Sequence, residues 1–191
     1  LMRTFVAGLA FAMPFSLVYQ MMSDRMKGLQ KSEKVIKGLP FAAGFTAGTA
    51  VSIAGNMHYV IYAQIIPLIE KLTGKEVSSY WFPDATRYIG YNPYREEDRT
   101  IHEFPCYSFV LGDLHAHVVN IMFVLLVIAL LYVWLRGVRK KTVPVETSMK
   151  DGKFWKEQLL MPHLLVISVL LGMFQWTNFW DFVIYYVVTL G

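Results

Sequence analysis

An all-α, polytopic transmembrane helix bundle is the fold class this sequence predicts, with about four to five spans and an extracytoplasmic loop carrying a short interfacial helix. Three observations point there. Hydrophobic residues make up 55% of the 191 and charged residues only 17%, below the roughly 25% of an ordinary soluble domain. The mean hydropathy is +0.39. Charge-free runs fall at Thr4–Met22, Leu39–Tyr59, Val118–Leu135 and Leu159–Trp180, and a further apolar run starts at Phe182. Each of the four has the length of about 17–25 residues that crosses a bilayer as a helix. A soluble fold would need four unusually long buried helices in one small domain.

The basic residues lie between these runs. Ser23–Gly38 carries five Lys or Arg against two acids, Arg136–Glu157 seven against three, and Lys71–Ala116 five against seven. The positive-inside rule then predicts loops 23–38 and 136–157 in the cytoplasm and the long loop 60–117 outside. Beside membrane spans, such basic clusters are topology signals and contacts with anionic lipid rather than a nucleic-acid surface. The chain reads as a single membrane domain, 1–191. Because it opens at Leu1 and stops inside an apolar run, it is expected to be a piece of a larger polytopic protein, whose remainder would be its first partner.

The first run contains Pro14, which a membrane helix tolerates where neighbours satisfy the freed carbonyl. It is too long, and lacks the small-residue cleavage site, for a signal peptide. In the second run Gly44, Gly48 and Ser52 recur every fourth residue, a stripe that lets another helix approach closely. Asn56, His58 and Tyr59 follow at its outer end, where interfacial hydrogen bonding is the simplest role for Asn56 and His58. Ile61–Leu72 suits a short helix on the membrane surface, broken at Pro67. The aromatic-rich stretch after it predicts an ordered loop packed on the membrane face, with Arg95–Arg99 as a solvated turn. Cys106, the one cysteine, excludes an intrachain disulfide.

Thr100–Asn120, TIHEFPCYSFVLGDLHAHVVN, gathers His102, Glu103, Asp113, His115 and His117 at the lip of the third apolar run. Ionisable groups at such a place face water or a protected cavity, since lipid exposure is costly. Gly112–Asp113 reads as the start of the third helix, with Asp113 as its cap. If the helix is regular from Asp113, then Asp113 and His117 share a face that Asn120 extends inward, whereas an HxH chelate of His115 with His117 requires non-helical backbone. Gln175, Asn178 and Asp181 form a polar stripe at three-residue spacing among Trp176 and Trp180. By topology Asp181 arrives on the side of Asp113 and Glu103. His163, near the opposite end, reads as structural.

AGN (Ala54–Asn56), RYI (Arg87–Ile89), HEFPCYSFVLGDLHAH (His102–His117) and NFWDF (Asn178–Phe182) together resemble the YYY membrane protein family over roughly residues 40–190. These are large, very hydrophobic proteins of archaea and some bacteria. The family's namesake tyrosine motif is expected upstream; Tyr185–Tyr186 lacks its context. The resemblance implies the plasma membrane of a prokaryote and an architecture similar to the GT-C membrane glycosyltransferases, which use lipid-phosphate-linked sugar donors. It implies Asp113, Glu103 and Asp181 as catalytic carboxylates with His117 as proton shuttle. Arg87 would bind phosphate, with Asn56, Asn178 and Trp180 beside the substrate. Asp113, His115 and His117 are the groups that would hold a divalent metal ion, the expected cofactor. The expected partners are membrane lipid and a polyprenyl-phosphate sugar. Two other classes fit the same residues: a metal-dependent membrane hydrolase, and a transporter or non-catalytic assembly component.

Overall fold

The computed structural model describes residues 1–27, 33–87, 100–139 and 160–190. The Arg95–Arg99 turn, Tyr88 and Ile89 of the RYI motif, and most of the basic loop 136–157 lie outside the described residues. Regular structure among the described residues is helical, without strands. The chain divides into two compact units, Leu1–Leu114 and His115–Gly191.

The first unit is built on α1 (Met2–Met26) and α2 (Glu33–Ser52). Nothing in α1 breaks its apolar run, and Pro14 is accommodated inside it. The glycine stripe of α2 is the seam. A Cβ on Gly44 would stand 2.8 Å from the carbonyl oxygen of Phe15, and one on Gly48 2.9 Å from that of Phe11. The two helices therefore run antiparallel with their backbones in near contact, which only a hydrogen side chain permits. The rings flanking the seam interlock edge to face: Phe11 with Phe45 at 5.8 Å and Phe15 with Phe41 at 5.7 Å. Ser52 completes the stripe by returning its hydroxyl to the carbonyl of Gly48 at 2.7 Å.

The helix expected over 39–59 starts earlier and stops at Ser52. There the carbonyl of Thr49 accepts from both Ile53 and Ala54, at 2.9 and 2.8 Å, which closes the last turn. After Met57 the chain enters a π-helical turn, Val60–Ile65, that leads directly into α3 (Ile66–Leu72). Pro67, expected to break this segment, lies where the π-helical turn passes into α3, and the helical chain continues through it. A loop follows, pinned by Glu70, whose Oε2 accepts from the Ser78 amide at 2.8 Å and the Ser78 hydroxyl at 2.9 Å. A 3₁₀ turn (Phe82–Thr86) and α4 (Pro105–Leu111) complete the unit.

The second unit is α5 (Ala116–Arg139), α6 (Pro162–Thr177) and α7 (Phe179–Leu190). Val127, Ile167, Leu170, Leu171 and Phe174 form its core, with Phe123, Leu130 and Tyr185 packed around them. The run expected to span 159–180 is interrupted at Asn178, whose backbone is extended (φ −157°, ψ 100°) between α6 and α7. By length and composition, α1 and Ala116–Val138 of α5 can each cross a membrane.

The α1–α2 seam sets a stability test. Gly48→Ala forces its new methyl into the Phe11 carbonyl and is expected to destabilise the protein by about 1–3 kcal/mol. Gly8→Ala, at a helical glycine with nothing within 4 Å of the added carbon, is expected to be neutral or stabilising. Thermal unfolding of the intact protein in detergent measures both.

Candidate functional site

Of the residues singled out by the sequence, Asn56, Arg87, Glu103 and Asp113 belong to the first unit and His115, His117, Asn178, Trp180 and Asp181 to the second. Asn56 is a brace: its amide nitrogen donates to the carbonyl of Ala85, and its oxygen accepts the His58 amide at 3.2 Å. The buried 3₁₀ turn, with Ala85 and Thr86 both fully enclosed, is thereby tied to the end of α2. The Thr86 carbonyl in turn accepts the His102 amide at 2.9 Å. Arg87 lies with its guanidinium carbon 4.5 Å above the Trp81 ring, a cation–π contact. Glu103 is half-buried just before α4, and Asp113 is exposed just after it.

The reading of Gly112–Asp113 as a helix start is corrected. Gly112 ends α4: it adopts φ 77°, and the carbonyl of Ser108 accepts from both Gly112 and Asp113, at 2.9 and 3.1 Å. Left-handed backbone there favours glycine. The Arg3 guanidinium lies 3.0 Å from where a Gly112 Cβ would stand, a cation at the negative end of a helix. Asp113 to His115 is non-helical and α5 begins at Ala116. Asp113 therefore does not cap the helix of His117, and the two are not a helical i, i+4 pair. The alternative condition, non-helical backbone at His115, is met: His115 precedes the helix, His117 lies in its first turn, and their rings are 5.8 Å apart at 60°.

The second unit holds a buried polar node. Asn120, 2% exposed, follows His117 by one helical turn. Its amide donates to Asp181 Oδ2 at 2.9 Å and to the Thr177 hydroxyl at 3.2 Å, and the hydroxyl passes on to the carbonyl of Met173 at 3.3 Å. The Asn178 amide donates to the same Asp181 oxygen at 3.0 Å. The break at Asn178 explains this convergence. Asn178 precedes α7 and Asp181 occupies its first turn, where a carboxylate complements the helix dipole. Asp181 Oδ1 makes no hydrogen bond among the described residues. Trp180 is 72% exposed, and Phe179 is its ring neighbour at 6.4 Å.

Sequence reasoning underweighted His58. Its Nδ1 is 3.1 Å from the Tyr80 hydroxyl, and its ring stacks on Tyr62 at 4.4 Å. The signal available was the four-residue spacing of His58 and Tyr62; the 22-residue separation from Tyr80 carried none. Burial, then the charge of Asp84 and the neighbouring Tyr59, push the Tyr80 phenol above its ordinary value, so it stays protonated at neutral pH.

Asn120→Leu removes two donors from the node and leaves Asp181 with Asn178 alone; we expect a loss of about 1–3 kcal/mol in thermal unfolding of the intact protein. Burial also pushes the Cys106 thiol up, so its thiolate fraction at neutral pH falls below that of a simple thiol. Iodoacetamide alkylation of the intact protein, followed by mass spectrometry, is expected to be slower than for a cysteine peptide at pH 7.5, with a midpoint displaced to higher pH.

The comparisons with known proteins add one relation. Neither the curated proteins nor the solved structures give a match. The family described as Uncharacterized membrane protein (DUF2298) matches residues 1–191. Across its whole length, then, the chain belongs to this family of membrane proteins, whose function is uncharacterised.

Proposed function

We propose that the protein is an integral membrane glycosyltransferase of the GT-C type, acting at the extracytoplasmic face of a prokaryotic plasma membrane on a polyprenyl-phosphate-linked sugar. The topology assigned to it has loops 23–38 and 136–157 in the cytoplasm and loop 60–117 outside. Support comes from the likeness of its motifs to the YYY membrane proteins and, above all, from the state of Asp181. One oxygen of that carboxylate is held by the amides of Asn120 and Asn178 at 2.9 and 3.0 Å, while the other makes no hydrogen bond among the described residues.

A fixed carboxylate with one oxygen still able to accept is what a glycosyl acceptor requires. In the proposed step Asp181 Oδ1 takes the proton of the acceptor hydroxyl, the oxygen bonds to the anomeric carbon, and the bond from that carbon to the donor phosphate breaks. The phosphate departs as an anion and the proton remains on Asp181. Trp180 is the sugar contact assigned in the same unit as Asp181; Glu103 and Asp113 as further carboxylates, and Arg87 as a phosphate contact, are roles that the family resemblance implies for residues of the first unit. His115 and His117 supply imidazole nitrogens, the usual ligands of a divalent cation, and they lie on either side of a helix start that does not force their rings apart. They would hold such an ion, which would supply positive charge against the departing phosphate.

The test uses the intact protein in proteoliposomes with a polyprenyl-phosphate sugar radiolabelled in the sugar. Asp181→Asn preserves size and is expected to lower transfer by about 10²–10⁴-fold, with thermal unfolding little changed. Full transfer by Asp181→Asn, Asp113→Asn and Glu103→Gln alike rejects the assignment.

A further inference from the structure

We infer that the first unit carries a saccharide-binding platform centred on His58 and built from Tyr62 and Tyr80, with the exposed Trp81 next to Tyr80 in the chain. The inference rests on the geometry of this unit alone and shares only its ligand class with the transferase reading.

Three features converge between Asn56 and Ile65. Met57 holds a left-handed backbone, φ 65°, a conformation that is strained for a residue with a side chain. Three residues on, the chain makes a π-helical turn, a form that is rare and concentrated at functional sites. Between them His58 is held on one face and at one edge. Tyr80 fixes Nδ1 at 3.1 Å, and Tyr62 stacks on the ring at 4.4 Å with only 25° between planes. Its Nε2 makes no hydrogen bond among the described residues. An imidazole with one nitrogen anchored presents the other in a fixed direction.

The surroundings specify the ligand. Tyr62 is 47% exposed although His58 stacks on it, and Trp81 is 53% exposed although Arg87 lies over it, so each keeps aromatic surface beyond its internal contact. Tyr59 packs edge to face on Tyr80 at 5.5 Å and on Phe82 at 6.0 Å, bracing the Tyr80 ring. An exposed tyrosine ring backed by a stacked imidazole, with the Tyr80 hydroxyl bonded to that imidazole's edge, combines an apolar face with polar rims and suits a ring that is apolar on its C–H face and hydroxylated at its rim, which is a pyranose. Tyrosines and tryptophans that serve only as anchors at a bilayer surface require neither the imidazole–phenol bond nor the strained Met57. A bilayer contact is accordingly the competing outcome of the test.

The experiment is saturation-transfer NMR on the intact protein in detergent micelles. The probes are methyl glucoside, methyl mannoside and N-acetylglucosamine, with cyclohexanol as an apolar ring. At least one sugar is expected to receive saturation and to resist competition by cyclohexanol. Its binding should weaken about tenfold or more, roughly 1.4 kcal/mol, in His58→Ala and Tyr62→Leu. Tyr62→Phe, which keeps the stacking face, should retain it, as should Tyr19→Leu on α1, an exposed tyrosine outside the platform. Absence of saturation from all three sugars overturns the inference. So does binding that survives both His58→Ala and Tyr62→Leu in folded protein, or that cyclohexanol displaces, as a lipid-facing surface would allow. Sugar binding without transfer leaves the platform standing and removes the transferase reading; transfer with no binding at these residues does the reverse.

Discussion

Within an apolar medium a polar group has no water to fall back on, and that constraint shapes both units. The backbone satisfies itself as helix. Short hydroxyl side chains do the same by bonding back along their own helices: Ser16 to Ala12, Thr46 to Ala42, Ser168 to Leu164 and Thr189 to Tyr185. Apolar side chains need no such provision and can lie outermost, as Val169 and Val187 do at 71% and 63% exposure, while the amide of Asn120 is enclosed at 2%. This inverts the arrangement of a water-soluble domain. Carrying two donors, Asn120 bonds across to its neighbours, and the bonds it makes there fix α5 against the α6–α7 junction.

The same constraint explains what could be read in the sequence. Apolar runs bounded by charge mark helices because lipid forbids much else, so the all-α class and the approximate helix positions are legible. The stripe of Gly44, Gly48 and Ser52 is legible for a similar reason. Where no water intervenes, backbones attract through close packing, and glycine is the residue that allows it. The carbonyls of Phe15 and Phe11 standing under 3 Å from the virtual carbons of Gly44 and Gly48 are what the spacing encodes.

Helix ends were less legible, because the signals there are single residues with two meanings. Gly112 can precede a helix or close one, and the following Asp113 favoured the first choice. Pro105 at the start of α4 tipped the structure to the second, since proline near a first turn and glycine just past the last belong together. Asn178 posed the reverse problem. Its three-residue spacing with Gln175 and Asp181 suggested a continuous stripe, yet its extended backbone ends α6 and begins α7. Residues joined across long separations, His58 with Tyr80 and Asn120 with Asp181, left no local pattern at all.

The break at Asn178 also explains why Asp181 is held so firmly. A helix interrupted inside apolar surroundings leaves the amides of one segment and the carbonyls of the other without their usual partners. Here Asn178 precedes the new helix, its carbonyl accepts the Phe182 amide at 3.3 Å, and its side chain turns onto Asp181 in the first turn. Asn120 approaches the same carboxylate oxygen from another helix. Two constraints of separate origin, one local to the α7 start and one from packing of α5, thus fix a single oxygen. A carboxylate located in this way keeps its direction when either constraint alone is strained. That is the geometry acid–base chemistry requires of a supporting shell, and a helix drawn straight through residue 178 would not have produced it.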